Sequence, residues 1–296
     1  MAFSDELAFV YGGRIFTEEP MDKHTSLGVG GRAEYFLRPK TEREIEGLLT
    51  LAEKYALPVT IVGRGSNLLV GDKGIRGMVI STERLDILRR KDGRVIAYAG
   101  VKNADLVEAT CRAGLSGLEF LTGIPGSVGG GIAMNAGAFG RSLSDVVESV
   151  DLIRLGKRLR LSNEACGFGY RSVGFRSDDF ILSARFSLTE KTVERVEESI
   201  SSFSEQRKKS QPTGRTCGSV FRNPNGCGAG ELIERAGLKG LRSGGAVVSE
   251  KHANFIVNEG GSATDIRRLI DLIKKKIREE FGVTLEEEVV TVGEFE

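Results

Sequence analysis

Two clusters of glycine and small polar residues are the segments of this sequence most suited to binding a phosphorylated ligand. Gly63-Arg-Gly65-Ser66-Asn67 follows a predicted β-strand, and residues 123–140 hold seven glycines together with Ser127 and Asn135. Without side chains in the way, successive backbone N–H groups can point at one anionic oxygen after another. The alternative is a pair of tight turns or close helix–strand packing. The density of glycine in residues 123–140 favours a pyrophosphate cradle.

Three further positions could supply a proton donor, a cation and an acid. Ser219 lies in the segment CGSVF, Arg171 follows a tyrosine, and Glu288 ends a run of three glutamates. Each has an ordinary alternative: a turn serine, a surface ion pair or a solvated acidic run. If the acidic run is a strand, alternation places Glu286 and Glu288 on the same face. Taken alone, none of the three positions indicates catalysis.

The common nucleotide-binding and hydrolytic motifs are absent. The sequence contains no Gly-x4-Gly-Lys-Ser/Thr, no Gly-x-Ser-x-Gly and no His-Glu-x-x-His. Residues 28–33 (GVGGRA) match a dinucleotide fingerprint, but a predicted strand follows them where a helix is required, so we do not expect a Rossmann site. Two histidines and four scattered cysteines predict neither a metal site nor a disulfide framework.

Composition excludes several classes of protein. The 39 glycines are about 13% of the chain, against a usual share of roughly 7%. Only 6 prolines and 40% hydrophobic residues argue against a linker or a collagen. A net charge of +1 argues against nucleic acid or an anionic membrane as the main partner. The N-terminus shows no signal pattern, and residues 117–139 are too rich in glycine for a spanning helix. We expect a cytoplasmic monomer whose partners are small molecules.

The elements that must position these residues mix helices and strands without a regular βαβ alternation, which predicts an α+β fold. Thr41-x-x-Glu44 and Ser262-x-x-Asp265 are capping boxes that begin two helices, and Gly282 ends the second. Further helices are predicted over 104–113, 193–203 and 231–236. Strands are predicted over 33–37, 58–62, 78–81, 94–99, 147–155, 157–161, 180–188, 246–248, 254–257 and 285–292.

Taken together, these segments resemble the UDP-N-acetylenolpyruvoylglucosamine reductase family. The resemblance runs from His24 to Gly293 through HTSLGVGG, GRGSNLLV, GIRGMVIS, GLEFLTGIPGSVGGGIAMNAGAFG, YRS, CGSVFRNP, KHANFIVN and LEEEVVTVG. It implies a lead-in over residues 1–20 and an FAD-binding domain of the vanillyl-alcohol-oxidase (PCMH) type over 21–190. It further implies an α+β substrate-binding domain over 191–296, whose final strand returns a catalytic glutamate to the active site.

The resemblance also implies an activity in peptidoglycan precursor synthesis. FAD would be held non-covalently and reduced by NADPH, and hydride would then pass to the enolpyruvyl double bond of a UDP-sugar to give UDP-N-acetylmuramate. Hydride addition leaves negative charge beside a carboxylate, which needs a cation and a hydrogen-bond donor in place beforehand. By motif, Arg171 and Glu288 take these two roles, and Ser219 protonates the carbon. The sequence shows no residue that would help Ser219 as an acid.

The resemblance assigns further residues to ligands. Asn223 and His252 resemble substrate-contacting positions, while Arg207, Lys208 and Arg215 are open alternatives for the UDP diphosphate. The residues implied to bind FAD are Gly63, Arg64, Gly65, Ser66, Asn67, Gly123, Ile124, Pro125, Gly126, Ser127, Gly129, Gly130, Asn135 and Gly137.

The sequence departs from the family pattern in three places. Gly131 stands where alanine is common, and Phe139 stands where tyrosine is common. After Ser172, the chain is too short for the tyrosine-bearing loop of one subclass, so it resembles the shorter subclass. Two other functions remain alternatives: a different FAD-dependent oxidoreductase or oxidase on the same scaffold, and a non-catalytic nucleotide-binding module.

Overall fold

A computed structural model of the chain describes residues 3–91, 94–224 and 226–295, which mix helices and strands throughout. The α-helices are α1 (Phe3–Val10), α2 (Glu42–Lys54), α3 (Asn103–Arg112), α4 (Val128–Ala133), α5 (Val193–Ser210), α6 (Ala229–Arg235) and α7 (Ala263–Phe281). The strands are β1 (Phe16–Pro20), β2 (Arg32–Leu37), β3 (Val59–Val62), β4 (Leu68–Val70), β5 (Ile75–Ser81), β6 (Leu88–Lys91), β7 (Arg94–Tyr98), β8 (Leu115–Ser116), β9 (Gly137–Ala138), β10 (Arg141–Ser142), β11 (Val147–Arg154), β12 (Lys157–Ser162), β13 (Phe180–Phe186), β14 (Thr189–Glu190), β15 (Arg242–Ser243), β16 (Ala246–Val248), β17 (Ile256–Asn258) and β18 (Val290–Val292). The predicted α+β class is confirmed.

The chain forms two compact units, each made of three segments. The first unit contains residues 1–16, 36–64 and 77–207, and the second contains 17–35, 65–76 and 208–296. The sequence predicted contiguous domains with a boundary near 190. The structure instead groups residues 17–35 and 65–76 with the C-terminal part of the chain. One reason is the parallel pairing of β4 with β18, which joins segments far apart in sequence.

The first unit is built around a five-stranded antiparallel sheet with the order β12-β11-β13-β7-β6. Alternate residues of the sheet, among them Ala97, Val150 and Ala184, are buried in a core shared with residues of α3 and α4. In the same unit, β3 pairs in parallel with β5. The predicted capping box at Thr41 begins α2, because the Thr41 and Glu44 side chains each satisfy a backbone N–H.

Part of the predicted lead-in packs as an integral element of the first unit. In α1, Leu7 is buried, and Glu6 accepts a hydrogen bond from Lys54 of α2 at 2.6 Å. The buried Tyr11 hydroxyl accepts the Arg38 backbone N–H at 2.9 Å. These contacts fix the start of the described chain against α2 and against the residue that follows β2.

The core of the second unit is built around α7, which buries Ile266, Leu269, Ile270, Ile273 and Ile277. Its two predicted ends are confirmed. Ser262 and Asp265 form the capping box, and the C-terminal cap at Gly282 has a left-handed backbone with φ of 71°. The strands β15, β16 and β17 form an antiparallel sheet in this unit.

Some predicted element boundaries are wrong. The helix predicted to end at 203 continues through its basic run to Ser210, because Lys and Arg are good helix formers and Pro212 provides the stop. The strand predicted over 285–292 is regular only over Val290–Val292. Within residues 117–139 the helix α4 has only six residues. Among the residues described, no helix is long and apolar enough to cross a membrane.

Candidate active site

The first predicted glycine cluster contacts the second at Gly63 and Ser127, in the first unit. A Cβ atom on Gly63, just after β3, would lie 2.7 Å from Ser127 Oγ. Ser127 precedes α4 and is 1% exposed, yet its hydroxyl has no hydrogen-bond partner among the described residues. Buried polar groups are normally paired, so an unpaired one in a glycine-lined position fits a missing ligand oxygen.

Two further residues, one in the first glycine cluster and one just before the second, show the same feature as Ser127. Arg64 Nε and Thr122 Oγ1 are buried side-chain atoms that also lack a partner within the described part of the chain. The hydroxyls of Ser127 and Thr122 can each donate a hydrogen bond to an anion. Arg64 Nε belongs to a guanidinium, which donates as well and carries a positive charge. The residues present in the first unit therefore fit a cofactor that carries a pyrophosphate, such as FAD.

The glycines of residues 123–131 divide into two classes. Gly123 and Gly126 have φ of 74° and 122°, which favours glycine, and Gly123, Pro125 and Gly130 are exposed. A Cβ on Gly130 would meet no atom nearer than Ser127 Oγ at 3.8 Å, so its surface is open to a ligand. Gly129 is different, because its Cβ would lie 2.7 Å from Ala99. For Gly129, close helix–strand packing is a sufficient explanation.

Asn135 and Gly137 hold the turn that carries Arg171. The buried Asn135 amide donates to the Gly169 carbonyl at 2.9 Å and accepts from the Ser144 N–H at 3.0 Å. The Gly137 carbonyl accepts from Arg171 Nη2 at 2.8 Å. Arg171 itself has φ of 52°, an uncommon conformation for a residue with a side chain. Both residues were predicted to bind FAD, and their contacts here are with the arginine turn.

Arg207 is the second arginine of this region. Its guanidinium lies 5.1 Å from the centre of the Phe139 ring, which stacks on Phe203 at 4.8 Å, and its Nη2 donates to the Phe120 carbonyl at 3.3 Å. Burial lowers the pKa of Arg207, and the positive charge of Arg171 lowers it further. The first unit thus concentrates two guanidinium groups beside its glycine cradle, which suits an anionic ligand.

The other two cations predicted for the diphosphate belong to the second unit. A Cβ on Gly28 would lie 3.0 Å from Arg215 Cδ, so the Arg215 side chain packs over the GVGG segment. The Lys208 carbonyl accepts a hydrogen bond from Lys251, 2.5 Å away. The GVGG segment leads into β2, as predicted, and not into a helix.

The loop Gly65–Asn67 is held within the second unit. Gly65 has φ of 62°, and a Cβ there would clash with the His24 carbonyl. The Ser26 N–H donates to the Gly65 carbonyl at 3.1 Å. Asn67 Nδ2 donates to the main-chain oxygen of Glu288 at 2.9 Å. A residue predicted to bind FAD therefore also supports the predicted catalytic glutamate.

Ser219 and Glu288 lie on neighbouring backbone segments of the second unit. Ser219 pairs with Phe255 in an antiparallel bridge, and the next residue, Val220, accepts the Glu288 N–H at 2.8 Å. Both predicted catalytic side chains are partly exposed. Burial raises the pKa of the Cys217 thiol to about 12, and the negative charge of Glu288 adds to this shift. The structure thus brings Asn67, Ser219 and Glu288 into one part of the unit.

Asn254 is a residue of this region that the sequence reasoning missed. Its amide is 3% exposed, accepts the Phe221 N–H at 3.0 Å and donates to the Phe221 carbonyl at 2.8 Å. The Val220 N–H donates to the Asn254 carbonyl at 2.9 Å. Asn254 therefore fixes the chain just after Ser219. A polar residue inside the strand-like run HANFIV was the only available signal.

Asn223 and His252 have clear structural partners. Asn223 Oδ1 accepts the Ala229 N–H at 3.0 Å at the start of α6. His252 Nδ1 accepts the Asn254 N–H at 3.2 Å, and its ring centre lies 4.8 Å from that of Phe255. Burial lowers the pKa of His252 and so disfavours the charged form of its ring. Their role as substrate contacts stays a prediction.

Comparison with known protein families matches two parts of the chain. Residues 209–292 match the family described as "UDP-N-acetylenolpyruvoylglucosamine reductase, C-terminal domain". Residues 33–160 match the family described as "FAD binding domain".

Similar proteins match over nearly their full lengths. The UDP-N-acetylenolpyruvoylglucosamine reductase of Geobacter metallireducens is 45% identical over 285 residues, covering 95% of each chain. The enzyme of the same name from Clostridioides difficile is 42% identical, covering 95% of this chain and 94% of its own. The crystal structure of the reductase from Thermus caldophilus superimposes with a TM-score of 0.82 at 35% identity, covering 94% of this chain and 98% of that one.

Proposed function

This chain belongs to the UDP-N-acetylenolpyruvoylglucosamine reductase family, and we infer that it is an FAD-dependent oxidoreductase of peptidoglycan precursor synthesis. It reduces the enolpyruvyl group of UDP-N-acetylglucosamine enolpyruvate with electrons from NADPH and yields UDP-N-acetylmuramate. The observation that carries this inference is sequence similarity, over 95% of the chain, to proteins that share the name UDP-N-acetylenolpyruvoylglucosamine reductase. The unpaired polar atoms beside Gly63 support the FAD requirement.

FAD, when bound, supplies hydride transfer from NADPH to the enolpyruvyl double bond. In the first unit, Gly63, Arg64, Gly123, Gly126, Ser127 and Gly130 are the residues that would hold its pyrophosphate, with Ile124, Pro125 and Gly129 shaping the same surface. Gly65, Ser66 and Asn67 keep their predicted role as FAD-contacting residues, as do Asn135 and Gly137. The hydroxyl of Ser127 and the guanidinium of Arg64 would gain the hydrogen bonds that they lack in the protein alone.

Arg171 is proposed to bind the carboxylate of the enolpyruvyl group. Its planar guanidinium offers two parallel donors to a carboxylate, and its orientation is fixed by the Gly137 carbonyl. When hydride adds to the methylene carbon, the electron pair of the double bond moves to the carbon that bears the carboxylate. A fixed cation stabilises this charge without reorganisation.

Ser219 is proposed to deliver the proton that completes the reduction. Its Oγ–H bond breaks as a C–H bond forms at the carbon beside the carboxylate, and the serine regains its proton from solvent. Glu288 is proposed to donate a hydrogen bond to the developing charge once it is protonated in the closed site with substrate bound. The pairing of the two backbone segments that carry Ser219 and Glu288 supports this division of roles. Asn223 and His252 are proposed as substrate contacts.

We further propose that the protein works in the cytoplasm as a monomer. Light scattering coupled to size-exclusion chromatography tests the monomer, for which a mass near 32 kDa is expected. A mass of twice that value at micromolar concentration contradicts it.

The visible spectrum of the purified protein tests the function. We expect flavin absorbance near roughly 450 nm that NADPH bleaches and that the enolpyruvyl substrate restores. Flavin released by acid precipitation is expected in the supernatant, since the cofactor is non-covalent. A colourless protein that cannot be reconstituted with FAD contradicts the function.

A further inference from the structure

The three consecutive glutamates at 286–288 have three different surroundings. The Glu286 side chain is 75% exposed, with Arg222 Nη1 3.8 Å away. The Glu287 side chain is 20% exposed and ion-paired, and Glu288 is partly exposed. The three residues are chemically identical, so the structure must fix which of them takes the catalytic position.

The backbone of this segment is paired with the chain that follows Ser219. The Arg222 N–H donates to the Glu286 carbonyl at 2.9 Å, and the Glu288 N–H donates to the Val220 carbonyl at 2.8 Å. Between them, Phe221 and Glu287 form an antiparallel bridge. In such pairing successive side chains point to opposite faces, so Glu287 leaves the segment on the side opposite to Glu288.

The Glu287 carboxylate is bound by two cations of α7. Arg267 donates from Nη1 to Oε2 at 2.7 Å and from Nη2 to Oε1 at 2.9 Å, and Lys274 Nζ donates to Oε1 at 2.8 Å. Burial alone would raise the pKa of Glu287, but the hydrogen bonds from Arg267 and Lys274 outweigh it and hold the pKa below its usual value. A partly buried, two-point guanidinium pair has a defined geometry that exposed ion pairs lack.

The helix that carries these cations is itself firmly held. Positions 267 and 274 lie two turns apart and therefore on one face of α7. The adjoining face of the helix is buried in the core of the second unit. At the helix start, the Asp72 carboxylate accepts the Thr264 N–H at 2.7 Å. The acidic segment is also flanked by the buried Leu285 and Val289.

We propose that Glu287 is a positioning residue whose ion pairs with Arg267 and Lys274 set the register of residues 286–289 and thereby give the acid role to Glu288. A slip of one residue would turn every side chain of the segment to the other face. Such a slip would replace Glu287 by a neighbouring glutamate in front of the two cations and would move Leu285 and Val289 out of their buried positions, so the ion pairs fix the register together with these two side chains. This inference rests on the proposed function of Glu288, which the test below examines separately.

Hydrogen exchange tests the register directly, with or without FAD. Replacing Glu287 by glutamine keeps the shape but removes the charge, and Lys274→Met removes one partner only. We expect the amides of Arg222 and Glu288 to exchange about tenfold faster in Glu287→Gln, because local opening costs less free energy. Glu286→Gln is the matched control, since it makes the same change at an exposed side chain. Unchanged exchange at both amides in Glu287→Gln overturns the proposal.

Kinetics test the consequence for Glu288. We expect Glu287→Gln to slow reoxidation of the reduced flavin by substrate about 10- to 100-fold, while reduction by NADPH stays within about twofold, since misplacement of an acid affects only the step that uses it. Glu286→Gln is expected to behave like the parent. In a Glu288→Gln background, adding Glu287→Gln is expected to cause no further loss, because its effect passes through Glu288.

Three results would overturn the proposal by different routes. Faster exchange with an unchanged reoxidation rate would show a register contact that does not serve catalysis. Equal losses in both backgrounds would show that Glu287 acts other than through Glu288. If Glu288→Gln alone leaves reoxidation unchanged, the proposed role of Glu288 fails with it, and the exchange data then report whether the ion pairs still set the register.

Discussion

The side-chain amide of Asn67 donates a hydrogen bond of 2.9 Å to the main-chain oxygen of Glu288. Asn67 follows the glycine loop Gly63–Ser66, and Glu288 ends the acidic run near the C-terminus. One side chain thus links a loop predicted to contact FAD with the backbone of the proposed acid. The backbone of Glu288 is also held through its own N–H, which donates to the Val220 carbonyl.

Asn67→Ala is expected to impair the step that uses Glu288. Loss of the hydrogen bond leaves the Glu288 carbonyl to find another donor, and we expect an unfolding free energy about 1 kcal/mol lower and flavin reoxidation by substrate slowed several-fold. Urea denaturation and stopped-flow absorbance measure the two effects. Asn258→Ala is a stringent control for the loss of an asparagine side chain, because its amide donates to the Leu27 carbonyl at 2.9 Å and also accepts the Gly260 and Gly261 N–H groups. A control that slows reoxidation as much as Asn67→Ala contradicts the link to Glu288.

Ser127→Ala is expected to have opposite effects on the protein without FAD and on FAD binding. The buried hydroxyl of Ser127 has no partner among the residues described, so its removal is expected to leave the apoprotein as stable or up to about 1 kcal/mol more stable. The same change removes a donor to the pyrophosphate and is expected to weaken FAD binding about tenfold. Thermal unfolding and fluorescence titration of the apoprotein measure these effects. Ser199→Ala is the control for the same chemical change elsewhere in the first unit, where the Ser199 hydroxyl donates to the Arg195 carbonyl at 3.1 Å. A destabilised apoprotein with unchanged FAD affinity contradicts the cradle.

Asp151→Asn is expected to change how stability depends on pH. Asp151 is 2% exposed and accepts from Arg160 Nε at 2.7 Å and from Arg185 Nη1 at 3.2 Å. Burial opposes its charge, but the arginines outweigh burial and lower the pKa. Because the folded-state pKa is depressed, this stabilisation is present in full above the unfolded value of about 3.9 and is lost as pH falls through the folded-state pKa.

Denaturation of the Asp151→Asn variant should therefore differ from the parent mainly at neutral pH. We expect a loss of about 3 kcal/mol at pH 7, because the arginines lose their buried counter-charge. The difference is expected to shrink as the pH falls below about 4, where the unfolded chain begins to bind a proton at Asp151, and to go on shrinking until the pH is below the depressed folded-state pKa. Asp178→Asn is the control, since Asp178 is exposed and its ion pair with Arg176, at 3.1 Å, is exposed as well. A difference that stays constant across this pH range contradicts the assignment.

The sequence predicted best those features that depend on local chemistry. The capping boxes at Thr41 and Ser262 and the stop at Gly282 each involve residues within one turn of a helix, so spacing alone reveals them. The glycine cluster 123–130 was likewise visible, because positive φ and open backbone require glycine. The family motifs then supplied Arg171, Ser219 and Glu288 as site residues, and their roles remain predictions.

Features that depend on distant pairing were not predictable in the same way. The register of β4 against β18 joins residues 68–70 to residues 290–292, and it draws residues 65–76 into the second unit. Asn254 and Glu287 are ordinary polar residues in sequence, and only the folded chain shows that one pairs with both backbone groups of Phe221 and the other with α7. No local pattern encodes such partners.

Ser219→Ala is expected to separate the two halves of the reaction. Reduction of the flavin by NADPH does not use the serine, so its rate should match the parent. Protonation of the carbon beside the carboxylate does use it, and we expect reoxidation by substrate to slow by about 10²- to 10⁴-fold. Stopped-flow absorbance under nitrogen measures both rates. Reoxidation at the parent rate removes Ser219 from its proposed role.

Anaerobic turnover with NADPH and UDP-N-acetylglucosamine enolpyruvate is the most direct test of the account. Without oxygen, a reductase must pass both electrons to the enolpyruvyl group, so we predict one UDP-N-acetylmuramate formed for each NADPH consumed, detected by mass spectrometry of the product. An oxidase on the same scaffold would stop after the flavin is reduced. Flavin that NADPH reduces but that the enolpyruvyl substrate leaves reduced, with no UDP-N-acetylmuramate formed, contradicts the account.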